Sequence, residues 1–386
     1  MAATASHGGP EAPAVLTALA CNLDAQILAA AFPLLEAGRV EALEWSFDTL
    51  YWADEVPAWF DELLDTYSHA HRLIGHGVFF SLLSARWSPA QQQWLQQLRQ
   101  LARRFHFDHI TEHFGFFTGQ NFHHGAPLPV PYTAATLRIG QDRLGRIQEA
   151  CQRPVGLENL AFSYSLAEVE QQGEFLDKLL EPVNGFLILD LHNLYCQLHN
   201  FSVSDDDLLT RYPLHRVREI HISGGSWEAS GQAPGRQVRR DTHDDAVPDA
   251  VFDLLARTMP RCPQLKYVVL EQLGNALHTP ASQVRFRQDF ARMEALVQQH
   301  CPQRAAIPAE SFLPPQPLTP GPVPAEDAGL YAQQLQLSRI LENAPAFAEA
   351  HRQLQASSLA HTAWNIEGWA PHMLETAVSI AQKWKK

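Results

Sequence analysis

The sequence predicts an α/β fold, a (β/α)8 TIM barrel followed by a Pro-rich linker and a C-terminal helical extension. Three observations predict it. Eight short apolar runs alternate with helix-period segments from residue 15 to about 300, the pattern of parallel β/α units at barrel size. No glycine-rich phosphate turn follows the first run, which disfavours the competing doubly wound sheet. Residues 308–324 then hold seven prolines in 17 positions before helical patterning returns.

The expected strands are 15–21, 42–47, 72–77, 109–113, 154–159, 185–191, 217–224 and 266–272. Helical segments between them include 24–38, 88–105 and 168–182. Ser88-Pro89 and Thr279-Pro280 have the cap-then-proline order that opens a helix. Two long loops leave strand ends. The first, 113–133, is rich in glycine and aromatics; Phe114, Phe116, Phe117 and Phe122 are read equally well as a cover over a site or as plain core packing. The second, 226–245, carries Arg236, Arg239 and Arg240. Long loops in compact domains are commonly functional. The division expected is a barrel over 1–305, an extended semi-rigid linker over 306–324, and helices over 325–386 that pack on the barrel or on a partner.

The 386 residues carry a net charge of −13, which disfavours a surface that grips nucleic acid. Five cysteines stand far apart with no C-x-x-C, so neither a disulfide framework nor a thiolate zinc site is expected. No secretory signal pattern and no membrane-length apolar run is visible, and a cytoplasmic location is expected. Histidine is abundant, at 19 residues, and many stand beside Asp, Glu or Asn.

The chemistry lies in where those residues fall. Strand three ends at His76, four at Glu112-His113, and five at Glu158-Asn159. Strand six ends at Asp190, followed by His192 and Asn193. Strand seven carries His221, its loop holds Asp241-x-His243, and strand eight ends at Glu271. In a barrel all these termini meet on one rim. A lone histidine at a strand end is ordinarily a hydrogen-bonded core residue, and D-x-H alone is a weak motif. The set carries the weight, and imidazoles with carboxylates suit zinc, iron or manganese.

Gly75-His76-Gly77, Thr111-Glu112-His113, Leu157-Glu158-Asn159, Asp190-Leu191-His192-Asn193, His221-Ile222-Ser223-Gly224, Asp241-Thr242-His243 and Leu270-Glu271, in that order, resemble the multinuclear non-haem iron-dependent oxidative enzymes. These are xylose-isomerase-like barrels that modify ribosomally synthesised peptides, in natural-product biosynthesis. The resemblance covers about residues 15–300. It implies two or three iron ions, Fe(II)/Fe(III), with O₂ as co-substrate, and a precursor peptide oxidised at a side chain, often cysteine. It implies the ligands His76, His113, Glu158, Asp190, Asn193, His221, Asp241, His243 and Glu271, with His76, Glu158 and His221 central to catalysis. Glu158 and Glu271 are the expected bridges, since a carboxylate has two oxygens to share. Glu112, Asn159 and His192 are further ligands or their supports; the family usually has two asparagines where His192-Asn193 stands, so an extra imidazole enters here. Arg236, Arg239 and Arg240 would hold a peptide carboxylate, against the plainer reading as surface salt bridges. Family members often work with a small partner protein.

Two other readings remain. The spacing is also similar to trinuclear zinc endonucleases of abasic sites, although Asn193 replaces a histidine there; zinc- or manganese-dependent phosphoester hydrolysis or sugar isomerisation is the rival chemistry. The third reading is a metal-holding barrel that binds a peptide without turnover, with Trp364, Trp369 and Trp384 either recruiting a partner or anchoring the extension.

Overall fold

The computed structural model describes residues 15–51, 55–117, 127–301 and 307–384, and the side chain of Trp384 is not among them. Phe122 therefore lies outside the described residues. In chain order the strands are β1 Leu16–Ala20, β2 Ala42–Trp45, β3 Leu73–Gly77, β4 Phe107–His113, β5 Phe116–Phe117, β6 Pro127–Leu128, β7 Val155–Glu158, β8 Phe186–Asp190, β9 Val217–Ile222, β10 Trp227–Ala229, β11 Gln237–Arg239 and β12 Tyr267–Leu270. The helices are α1 Ala25–Glu36, α2 Ala58–His69, α3 Pro89–Arg104, α4 Ala134–Cys151, α5 Leu166–Leu180, α6 Leu191–Phe201, α7 Asp205–Leu209, α8 Asp249–Thr258, α9 Pro280–His300, α10 Ala328–Asn343, α11 Phe347–Gln355 and α12 Pro371–Trp384.

Eight strands close a parallel barrel in the order β1-β12-β9-β8-β7-β4-β3-β2, so the chain is an α/β TIM barrel with added C-terminal helices. Each of the eight apolar runs contributes one of its staves. The two long loops fold into small antiparallel hairpins, β5–β6 and β10–β11. Local signals set the helix starts. Ser88 and Gln91 close a capping box with Pro89 in the first turn, and Thr279 and Ser282 do the same before Pro280.

Side chains alternate inward and outward along each strand. The inward positions of β1, β2, β3 and β12 form an apolar plug of Leu16, Ala18, Ala42, Ile74, Tyr267 and Val269. Two residues further on, the same alternation points Glu44 and His76 inward. The larger apolar core lies between strands and helices.

The proline-rich segment is extended but is not a free spacer. Ile307 and Phe312 pack under the barrel against Phe186 and Ile188, and Asn184 donates to the carbonyls of Ser311 and Leu313. From there the segment climbs α4, where Arg146 and Arg143 donate to the carbonyls of Gly321 and Ala325. At the top Asp327 N donates to Ala85 O. The last helices then pack on loops that follow strands. Trp369 stacks on Tyr164 at 3.8 Å, and Gln334 exchanges hydrogen bonds with Leu83 and Ala85. Trp364 and Trp369 are buried, and so act as anchors of the extension. Phe114 and Phe116 are likewise buried, against Phe175 and Trp364, and serve packing. The five cysteines are buried and none is in a disulfide. Among the described residues no helix is long and apolar enough to cross a membrane.

Candidate metal centre

Each strand delivers its last inward-facing residue to the rim. His76 of β3, His113 of β4, Glu158 of β7, Asp190 of β8 and His221 of β9 all obey this parity. They form overlapping clusters whose ligand atoms lie within 4.8 Å of one another: His76–His113–Glu158, Glu158–Asp190–His221 and Asp190–His243–Glu271. Glu158 and Asp190 each belong to two clusters, and Glu271 to one.

The polar atoms facing this space are hydrogen-bonded behind and bare in front. Thr111 Oγ1 donates to Gly75 O and so accepts from His76 Nδ1, 2.8 Å away, which leaves His76 Nε2 as a lone-pair donor toward the cavity. That nitrogen stands 3.4 Å from Glu158 Oε2, and His113 Nε2 stands 3.3 Å from the same oxygen. Asn193 Nδ2 donates to Glu158 Oε1 and to Asn159 O, and Asn193 N donates to Asp190 Oδ1. Glu158 Oε2, Asp190 Oδ2, Asn193 Oδ1 and His221 Nδ1 are buried with no hydrogen-bond partner. Native interiors rarely leave such atoms bare. A set of bare oxygens and imidazole nitrogens converging on one space fits divalent cations.

Electrostatics agree. Burial pushes Glu158 well above the usual carboxylate range, and burial together with Asp241 raises Asp190 to about 7. Burial and the neighbouring imidazoles of His113 and His221 hold His76 well below the ordinary histidine value. A bound cation would reverse the carboxylate shifts by taking the place of their protons.

On the opposite side Asp241 Oδ1 meets His192 Nδ1 at 2.8 Å and His243 Nε2 at 3.0 Å. Burial alone would raise the Asp241 carboxyl, but His243 and His192 hold it far below. Glu271 Oε2 stands 3.2 Å from His221 Nδ1. His243, whose backbone is left-handed at φ 52°, brings its ring within reach of Asp190 and Glu271.

Three expected candidates support rather than face this space. Glu112 is one residue from His113 and so points outward, where its carboxylate accepts from the backbone of Phe80 and His113. Asn159 pins β7 to β8 by exchanging hydrogen bonds with the Asp190 backbone. His192 has both ring nitrogens engaged, with Asp241 and with Arg239 Nε at 3.0 Å. Arg239 is buried and also stacks over Trp227. Arg240 pairs with Glu228, and Arg236 donates to Asn200 O.

Two carboxylates were missed. Glu44 Oε2 and Glu219 Oε1 lie 3.1 and 3.2 Å from His221 Nε2, forming a fourth cluster below the rim. Glu219-x-His221 has the same i, i+2 spacing as Asp241-x-His243 and was open to the same reasoning. Deeper still, Glu219 meets His109 at 2.6 Å, and His109 meets Asp108, which pairs with Arg218 and Lys266.

A cavity of about 340 Å³ opens above the centre, with His113, Glu158, Asn193, Asp241 and His243 in its lining. Fold and side chains together define a TIM-barrel protein with a buried histidine–carboxylate centre at its C-terminal rim. Residues 52–284 match the family described as RiPP precursor modification enzyme MbnB/TglH/ChrH, and the chain belongs to that family. Similar curated proteins are UPF0276 proteins. That of Bordetella pertussis is 33% identical over 202 residues, 52% of this chain and 68% of the relative. That of Acaryochloris marina is 34% identical over 191 residues, 48% and 64%. The Caulobacter vibrioides protein is 28% identical over 193 residues, 50% and 66%, so the match spans somewhat under two thirds of that relative. Among solved structures, a xylose isomerase-like TIM barrel/4-hydroxyphenylpyruvate dioxygenase fusion protein aligns at TM-score 0.47 and 13% identity, over 74% of this chain and 43% of that one. A xylose isomerase domain containing protein from Salmonella typhimurium aligns at 0.46 and 12%, over 73% and 97%.

Proposed function

We propose that the protein oxidises a side chain, often cysteine in this family, of a ribosomally made precursor peptide, using O₂ and two or three iron ions at the barrel rim. The observation that carries the reading is the run of bare donor atoms shared between clusters through Glu158 and Asp190. His76, His113, Glu158, Asp190, Asn193, His221, Asp241, His243 and Glu271 would hold the ions. Iron bound there would supply the one-electron chemistry by which electrons pass from a substrate carbon to O₂.

The chain's own residues do the rest. Glu158 Oε2 faces two imidazoles at once and is placed to bridge. Asn193 would offer an amide oxygen, a weaker donor than an imidazole, and so would hold its ion less firmly than the histidines do. Thr111 and His192 fix the orientation of His76 and Asp241. Leu160, Phe162 and Val238 on the cavity lining would limit the water around ions held there. Arg239 and Arg240 both line the cavity; Arg239 donates to His192, and Arg240, once released from Glu228, would be free to meet a peptide carboxylate.

The test is metal analysis of protein purified without air, followed by O₂ uptake with cysteine-containing peptides. Stoichiometric iron with peptide-dependent O₂ consumption supports the proposal. Colourless protein holding zinc or manganese, with phosphoester cleavage or sugar isomerisation, overturns it in favour of the rival chemistry. Iron and peptide binding without O₂ uptake leaves a binding protein.

A further inference from the structure

The cavity above the metal centre has a wall that the family match does not include. Met373, Thr376 and Ile380 of α12 line it, and they lie nearly a hundred residues beyond the last matched position, 284. Their spacing of three and four places all three on one helix face. Over these three positions that face is apolar in effect, because the Thr376 hydroxyl is spent on His372 O at 2.9 Å; Lys383, one turn further on, adds a charged residue at the edge of the lining. Leu160, Phe162 and Val238 of the barrel loops continue the apolar surface.

The wall is also fixed in place. Glu375, on the same helix, accepts from Ser230 Oγ at 2.7 Å and from Gly231 N at 3.1 Å, clasping the β10–β11 hairpin. His372 Nε2 meets Asn200 O at 3.2 Å, and Asn200 in turn bonds the Arg239 backbone on both sides. A preformed apolar wall facing an ion centre across one small cavity is a binding subsite, since orientation comes from the polar end and affinity from the apolar end.

We infer that α12 forms a subsite for an apolar side chain of the peptide, one flanking the residue presented to the metal centre, so that the C-terminal extension sets sequence preference. The inference rests on the peptide-oxidising reading above, and its test separates the two. Iron-loaded full-length protein is titrated under argon with two synthetic peptides, Ac-Gly-Gly-Cys-Gly-Gly-amide and Ac-Gly-Leu-Cys-Leu-Gly-amide. Burying one leucine corresponds to about a tenfold gain or more, so the leucine peptide should bind about tenfold tighter. Ile380→Trp fills the subsite and should erase that preference. Met373→Ala enlarges it and should shift preference toward the phenylalanine analogue. Iron content reports whether each variant keeps its centre; should Ile380→Trp lose iron, Met373→Ala decides. Equal affinity of the wild-type protein for both peptides, or a preference that survives both substitutions, overturns the subsite. Leucine preference without O₂ uptake would remove the redox reading and leave the subsite standing; O₂ uptake without leucine preference does the reverse.

Discussion

His192 and Asp241 are bonded to each other at 2.8 Å, with Arg239 Nε on the far ring nitrogen of His192. Arg239 has no lone pair to offer, so His192 Nε2 must accept, and the ring proton sits on Nδ1 facing Asp241. On this geometry we propose that the extra imidazole supports the Asp241 carboxylate. His192→Ala should keep the fold and weaken metal affinity about ten- to hundredfold, the usual cost of removing such a support. Unchanged affinity in a competitive metal titration would count against the role.

Gly225 offers a test that replaces no candidate ligand. A Cβ there would come 2.2 Å from Arg240 O and 2.9 Å from both Thr242 N and His192 Cε1, that is, against the backbone on either side of Asp241 and the ring that bonds it. The nearest obstacle is main chain, so the 240–242 segment must move. Gly225→Ala should cost roughly 1–3 kcal/mol of stability and lower bound metal, with the barrel's circular dichroism retained. Full metal content in that variant would show that the segment yields without displacing Asp241.

His221 carries structure as well as chemistry. Its Nε2 lies between the buried carboxylates of Glu44 and Glu219. His221→Ala should therefore abolish iron and turnover and also lower stability by about 3–5 kcal/mol, because it strands buried charge. His76→Ala, which leaves Thr111 bonded to Gly75 O, should lose metal at a smaller stability cost. Urea unfolding of the two metal-free variants checks the order, and retained activity in either would end its assignment.

Asp48 sets a pH dependence. Buried completely, it accepts from Trp94 Nε1 and from the amides of Val78 and Phe79, yet burial still raises its pKa from 3.8 to about 6. The folded state thus holds a proton that the unfolded chain has released. Stability from this group is complete below about pH 4 and is lost as pH rises through 6. Asp48→Asn should remove that slope, gaining roughly 1–3 kcal/mol at pH 7 relative to its value at pH 4. Parallel stability–pH curves for variant and wild type would refute the assignment.

Much of this cluster was legible because the pleat has a period of two and the candidate ligands end their strands. His76, His113, Glu158, Asp190 and His221 needed only strand order and parity. Glu44 escaped because the second strand was drawn to residue 47, which hid its last inward residue. The same parity separates Glu112 from His113, a distinction that strand ends alone did not make. Met373 and Ile380 carried no signal at all. On their own helix they read as an ordinary apolar face, and only the tertiary path of the chain sets them against a cavity whose barrel residues lie a hundred or more positions earlier.

The proline-rich strap has a consequence for the cavity. Bonded to Asn184 below the barrel, to Arg143 and Arg146 along its flank, and to Ala85 at the top, it moors the route into the terminal helices at three heights. Cutting those moorings, as Asn184→Ala with Arg146→Ala would, should loosen the α12 side of the cavity while replacing no candidate ligand.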